Sequence, residues 1–260
     1  MIRAVSDPPP RALVTGASSG IGAALARELA TRGHPLVLVA RRGDALERLA
    51  AELPTPTDVV VADLATEEGL RTVEDLITDT ADPVRLLVNN AATGAFARLT
   101  EQDAATLDAT VHVNVLAPLR LSRAALRRMD GRGGIMMISS PVAVGTVGLT
   151  AYAASKAFLD ALGRGLVAEA PAGVRITTVA PGYTRTEFHD RLGEDVSGIP
   201  DRWWLTPEDV ARTALDAHAR GEQRVEPGRP STAQRAVQKA RRLTRPVTAR
   251  LRRRGTSGSA

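Results

Sequence analysis

Tyr152 and Lys156 stand four apart in Ala151-Tyr152-Ala153-Ala154-Ser155-Lys156-Ala157, a stretch that opens a helical pattern. Residues four apart on a helix share one face, so the phenol and the ammonium should point the same way. A free tyrosine titrates near pH ~10, too high to exchange protons readily at neutral pH. A neighbouring positive charge favours the phenolate and lowers that value. The pair could then act as a general acid/base that interconverts a carbonyl and an alcohol. The chain has only two tyrosines and two lysines, so chance is a weak competitor. The competing reading is a helix with an interfacial tyrosine and a solvated lysine.

Other residues with chemical use lie just after apolar runs. Gly16-xxx-Gly20-x-Gly22 joins such a run to a helical pattern. Glycines allow a tight turn and a close approach to a ligand. The free N–H groups and partial positive charge of a helix N-terminus suit a pyrophosphate, with Ser18 and Ser19 as added hydroxyls. The spacing is GxxxGxG, not the commonest GxGxxG fingerprint. Arg41 and Arg42 follow the second run, where an acidic residue would hold the ribose hydroxyls of NAD. Arginines there favour the extra phosphate of NADP(H). Asp63-Leu64 could hold the adenine edge, or Asp63 could simply cap a helix. Asn90 could tie neighbouring strands beside the cofactor. Asn114 interrupts a helical stretch, where its low propensity suits a distortion or a water site. Ser139 and Ser140 end the fifth run. Adjacent strand residues face opposite ways, so only one hydroxyl can meet a substrate.

Six buried strands are expected, at about 11–15, 36–40, 58–62, 85–89, 135–138 and 174–179. Helical patterns alternate with them, two lying between the fourth and fifth at about 101–112 and 115–129. Continuous apolar strands are buried on both faces, as in parallel sheets, and the alternation gives right-handed βαβ units. The expected fold is a single α/β domain, a doubly wound parallel sheet of Rossmann type with helices on both faces. It should span 11–228, between a flexible arm at 1–10 containing three successive prolines and a tail at 229–260. Thr206, Pro207 and Asp209 mark a helix start.

The 260-residue chain contains no cysteine, which leaves no disulfide or thiolate metal site, and no metal is expected. The N-terminus has no apolar core of signal-peptide length, and no run approaches the ~18 residues of a membrane span; a cytoplasmic protein is expected. Ten basic residues and no acidic one follow Pro227, so the formal +5 is the balance of a body at −5 and a strongly basic tail. The tail carries a weak amphipathic helical pattern broken at Pro246. It could touch an anionic membrane surface weakly, or be a loose, partly helical extension. No aromatic residue interleaves its charges, so specific nucleic-acid binding is not expected.

Thr15-Gly-Ala-Ser-Ser-Gly-Ile-Gly22, Asn89-Asn90-Ala91, Asn114, Ser139-Ser140, Tyr152-Ala-Ala-Ser-Lys156 and Pro181-Gly182-x-x-x-Thr186 stand in the order found in the short-chain dehydrogenase/reductase family, which the chain resembles over about 11–226. The resemblance implies an NAD(P)-dependent oxidoreductase acting on a carbonyl or alcohol substrate. It implies Tyr152 as acid/base, Lys156 lowering its pKa and binding the nicotinamide ribose, a serine polarising the substrate oxygen, and Asn114 holding a relay water. Gly16, Ser18, Ser19, Gly20, Ile21, Gly22, Asp63, Leu64, Asn90, Ala91, Ala92, Pro181, Gly182, Thr184 and Thr186 would surround the cofactor. The family usually has glycine where Ala92 stands, and the added methyl should narrow the pocket or shift the cofactor. Strand register favours Ser140 as the active serine, whereas spacing from Tyr152 favours Ser139. Residues 93–96, Pro141, Val142, Tyr183, His189 and the Trp203-Trp204 segment should line a pocket for a hydrophobic substrate, with His189 itself at the surface. Residues 186–205 resemble a mobile lid. A homo-oligomer, dimer or tetramer, is expected. The alternative function is a non-catalytic dinucleotide sensor or scaffold acting through the tail.

Overall fold

A computed structural model of the chain describes residues 9–79, 83–144 and 147–228. Most of the expected N-terminal arm and the entire basic tail lie outside the described residues. β1 (Ala12–Thr15) leads to α1 (Gly20–Thr31), β2 (Leu36–Ala40) to α2 (Gly43–Glu52), and β3 (Thr57–Val61) to α3 (Glu67–Thr78). β4 (Leu86–Asn89) is followed by α4 (Ala104–Val111) and α5 (Ala117–Leu126), and β5 (Gly134–Ile138) by α6 (Thr150–Glu169). β6 (Arg175–Val179) precedes α7 (Phe188–Leu192), α8 (Pro207–Ala219) and β7 (Arg224–Val225).

The strands form one parallel sheet in the order β3-β2-β1-β4-β5-β6-β7. From β1 the chain builds outward to β3, then returns to pair β4 against the other side of β1. The crevice at this reversal, beyond the strand carboxyl ends, is where such sheets bind ligands. Successive side chains alternate between two apolar layers. Val14, Leu38 and Val88 join Leu25 and Leu29 of α1 and Leu215 of α8. Leu13, Val37 and Leu87 join Val73 of α3, Leu121 of α5 and Leu159 of α6. Each such side chain contributes roughly 1.5–3 kcal/mol when fully buried.

Four details differ from the sequence expectation. A seventh strand, β7, pairs Arg224 and Val225 with Thr178 and Val179; two residues carry no periodicity to read. β3 is an edge strand with Val61 61% exposed, not a doubly buried one. α4 starts later than expected because Asp103 caps it, accepting the Thr106 N–H at 2.7 Å. The two helical patterns around Asn114 are one continuous rod, joined by a π-helical turn over His112–Leu116. Pro118 lies four residues after Asn114 and has no N–H to give its carbonyl, so the α ladder cannot close there.

Candidate active site

β1 ends at Thr15 and passes directly into the glycine loop. Gly16 and Gly20 take φ of +66° and +56°, a region open to glycine. A Cβ on Gly22 would lie 2.3 Å from the Gly16 carbonyl oxygen, so the loop folds onto the first turn of α1. Ser19 stands at the N-cap but makes no side-chain cap bond, and the first turn holds no acidic residue. The positive end of α1 is therefore left without an internal anion, which fits a pyrophosphate. The Thr15 hydroxyl donates to the Val88 carbonyl at 3.2 Å and accepts the N–H groups of Asn90 and Ala91, each at 3.0 Å. The Asn90 amide donates to the Thr15 carbonyl at 2.8 Å, so the loop after β4 is fastened to the glycine loop.

At the end of β2 it is Arg42 that reaches the glycine loop. Its Nε donates to the Ser18 hydroxyl at 3.3 Å and its Nη2 to the Ser18 carbonyl at 3.2 Å. Arg41 is exposed and takes no part in these contacts. Asp63 shapes the turn into α3: its carboxylate accepts the Ala65 N–H at 3.0 Å and its carbonyl the Thr66 N–H at 3.0 Å. Leu64 is buried, its side chain packed in the core with Leu70 and Val73.

α6 sets Tyr152 and Lys156 on one face. Both are buried, at 7% and 2% exposure. The Lys156 Nζ donates to the Ile138 carbonyl at 2.7 Å and lies 5.5 Å from the centre of the Tyr152 ring. The two serines diverge as adjacent strand residues must. Ser139 gives its hydroxyl to the Lys156 carbonyl at 3.1 Å. Ser140 accepts the Val142 N–H at 3.3 Å, and its hydroxyl favours the charged form of the Tyr152 phenol. Asn114 accepts the Thr93 N–H at 2.9 Å and donates to the Thr93 carbonyl at 2.8 Å and the Ser155 hydroxyl at 3.0 Å. Ser155 donates in turn to the Tyr152 carbonyl at 2.7 Å, linking the π turn to the tyrosine's own turn of α6.

The electrostatics depart from the expectation. Burial pushes the Tyr152 phenol well above its ordinary range, with Ser140 opposing and the Glu194 charge adding to the rise. Burial also pulls the Lys156 ammonium down to about 7, against Asp160. Desolvation thus outweighs the helpful charge that the i, i+4 spacing suggested.

β6 leads through Pro181 and Gly182 into residues 184–205, closed at the base by backbone bonds Leu205 N to Tyr183 O (2.8 Å) and Arg185 N to Leu205 O (3.0 Å). Thr184 is buried and donates its hydroxyl to the Gly182 carbonyl at 2.9 Å. Thr186 accepts the Phe188 N–H at 3.2 Å and packs beside Gly20. α7 lies within this segment and ends at Gly193, whose φ of 72° is left-handed. The segment is folded down on Tyr152: the Phe188 ring is 5.5 Å from the tyrosine ring, and Leu192 is buried beside both. The Phe96 N–H donates to the Leu192 carbonyl at 2.7 Å, pinning the segment to the loop after β4. His189 is not a surface residue. Its side chain is 15% exposed, paired with Glu194 at 2.9 Å and packed against Tyr183 and Trp204.

Residues 10–197 match the family described as short chain dehydrogenase. The chain belongs to the short-chain dehydrogenase family. The family joins an NAD(P) site to oxidoreductase chemistry on small molecules. Among relatives, the carbonyl reductase family member 4 of Danio rerio is 35% identical over 210 residues, covering 78% of this chain and 89% of that protein. The solved short-chain dehydrogenase from Sphingobium yanoikuyae in complex with NADPH superposes with a TM-score of 0.80 at 33% identity, covering 90% of this chain and 94% of that one. The bulky-bulky ketone specific alcohol dehydrogenase from Comamonas testosteroni superposes with a TM-score of 0.75 at 33% identity, covering 89% and 92%.

Within this short-chain dehydrogenase, Ala92 packs in one apolar cluster with Phe96, Val142, Phe188 and Leu192 around Tyr152. Three contributors to the site were not singled out from sequence. Ser155 was the third intervening residue of the tyrosine–lysine motif, and its three-residue offset from Tyr152 was the available signal. Phe188, and Glu187 whose carboxylate lies 3.3 Å from the Arg42 Nη1, belong to residues 184–205, where spacing carries no contact information. Among the described residues there is no cluster of three or more metal-ligating side chains, and no helix is long and apolar enough to cross a membrane.

Proposed function

We propose that the protein is an NADP(H)-dependent oxidoreductase that interconverts a ketone or aldehyde with its alcohol. The observation that carries this reading is the burial of Tyr152 and Lys156 on one face of α6, with the Lys156 Nζ 5.5 Å from the centre of the tyrosine ring. A bound nicotinamide cofactor supplies or takes up the hydride. The pyrophosphate would lie on the uncapped N-terminus of α1, held by N–H groups from Gly20 to Gly22, and Arg42 would meet the ribose phosphate. Asn90, Ala91, Ala92, Pro181, Gly182, Thr184 and Thr186 would flank the nicotinamide side.

In the reductive direction Tyr152 gives its proton to the substrate oxygen while Ser140 donates a hydrogen bond to the same oxygen. A phenol held protonated by burial suits the donor role. Lys156 would steady the phenolate that remains. The Asn114 carbonyl, lacking an α-helical partner because of Pro118, is an acceptor for a relay water through which the phenol regains its proton. Tyr152 is packed among Ala92, Phe96, Val142, Leu149, Phe188 and Leu192, apolar surroundings that support a substrate with bulky apolar groups on the carbonyl. The complete set of acid/base groups weighs against a purely sensory or scaffolding role.

The deciding experiment monitors NADPH oxidation with a panel of bulky ketones, for the wild-type protein and for Tyr152→Phe. The variant is expected to lose about 10²–10⁴-fold in turnover while still binding NADPH. A Tyr152→Phe protein with full turnover would overturn the assignment.

A further inference from the structure

Arg42 has a second partner besides the glycine loop. Its Nη1 lies 3.3 Å from the Glu187 Oε2, at the start of the lid. A parallel contact joins the same two segments: the Arg191 Nη2 donates to the Ser19 hydroxyl at 3.3 Å. Thr186 sits between them, its methyl carbon 3.0 Å from where a Gly20 Cβ would be. The lid is thus fastened to the phosphate-binding loop from above while Phe188 and Leu192 cover Tyr152.

We propose that Glu187 is a cofactor-specificity residue: it holds Arg42 as an internal anion, competes there with a phosphate on the adenosine ribose, and ties the lid down until that phosphate displaces it. The inference rests on Arg42 being the residue that meets this phosphate. A carboxylate carries one negative charge and a ribose phosphate nearly two, so the phosphate wins the guanidinium when present. The side chains are 44% and 57% exposed, so the pair is weak enough to be exchanged rather than a permanent strut. A cofactor lacking the phosphate has nothing with which to displace Glu187 and leaves the lid fastened.

The test uses adenosine 2′,5′-bisphosphate and adenosine 5′-monophosphate as probes, which differ by this phosphate and bring no nicotinamide. The chain has two tryptophans, Trp203 and Trp204, both in the lid, so intrinsic emission reports its position. Calorimetry on the full-length protein should give bisphosphate binding about ten-fold weaker in Arg42→Ala. In Glu187→Gln and Glu187→Ala it should be about two- to five-fold tighter, with monophosphate binding unchanged. The gain should vanish in the Arg42→Ala/Glu187→Gln double variant. The bisphosphate should shift wild-type tryptophan emission, and Glu187→Gln should show part of that shift without ligand. If Arg42→Ala weakens the bisphosphate but neither Glu187 variant tightens it, the competition is refuted and the reading of Arg42 stands. Arg42-dependent binding with no change in emission refutes release of the lid. If Arg42→Ala binds both probes like the wild type, the reading of Arg42 falls and the inference with it.

Discussion

Lys156 is a full-length cation inside the protein, with one carbonyl, that of Ile138, in contact with its ammonium. Burial lowers its pKa from 10.5 to about 7. Between these values the unfolded chain binds a proton that the folded one resists, so stability rises with pH across the window and its cost is complete below pH 7. Lys156→Met should therefore raise the stability of the cofactor-free protein by about 1–3 kcal/mol near neutral pH while turnover is lost. Thermal unfolding and a turnover assay on one preparation test both halves; a variant that melts below the wild type counts against the argument. Ser139 and Ser140 give a second contrast. Ser140→Ala removes the hydroxyl that opposes the rise in the phenol's pKa and should cut turnover about 10²-fold with little change in melting temperature. Ser139→Ala should keep turnover and lose about 1 kcal/mol of stability, because its bond ties β5 to α6. The helical spacing that puts Tyr152 and Lys156 on one face was legible in the chain, as was the divergence of Ser139 and Ser140 at the end of β5. The sign of the Tyr152 shift was not legible, because spacing locates a neighbouring charge but not the water removed from around it.

At the scale of elements, the π turn and the lid separate what sequence can and cannot carry. Asn114 announced a distortion by its poor helix propensity, and Pro118 explains it by withholding one N–H. Pro118→Ala restores that donor and should let the rod close into a regular α-helix. The expected result is a lower kcat with cofactor affinity unchanged, read by steady-state kinetics beside calorimetry; an unaltered kcat would detach the π turn from the chemistry. The lid offered no such signal. Its five-residue helix is too short for a period, and its hold on Tyr152 comes from Phe188 and Leu192 meeting a tyrosine far away in sequence. The indole Nε1 of Trp203 is buried without a hydrogen-bond partner among the described residues. Gly193→Ala places a methyl group in open space but at a φ of 72°. It should destabilise α7 by about 1 kcal/mol and speed proteolysis within 184–205, with the global melting temperature nearly unchanged.

For the whole molecule, apolar runs alternating with helices were enough to foresee a doubly wound sheet, while β7 and the exposure of β3 depend on where the sheet stops. His218 shows how that sheet is held beside β6. Its Nδ1 is 2.9 Å from the Thr177 hydroxyl, which donates to the Glu222 carbonyl at 2.8 Å, so the imidazole is the donor to Thr177. A Cβ on Gly134 would lie 2.4 Å from the imidazole ring, so the ring rests on bare backbone. Burial lowers the His218 pKa from 6.5 to about 4, helped by Arg175 and His34. The folded state therefore refuses a proton that the unfolded state accepts. Stability is intact above pH 6.5 and falls as the pH drops toward 4, by on the order of 3 kcal/mol. Urea titrations at pH 7 and pH 4.5 should show this loss for the wild type and a smaller one for His218→Gln. The fastening of Thr15 to Asn90 bears on how the protein is made. These partners are 75 residues apart, and the central β1–β4 pairing joins two halves whose own βα contacts are local in sequence. Long-range parallel pairing is slow because loop-closure entropy is lost before any contact repays it. The cleft for the nucleotide exists only once this seam is sewn, so a refolding chain should regain most of its helical circular dichroism before it can capture a nucleotide.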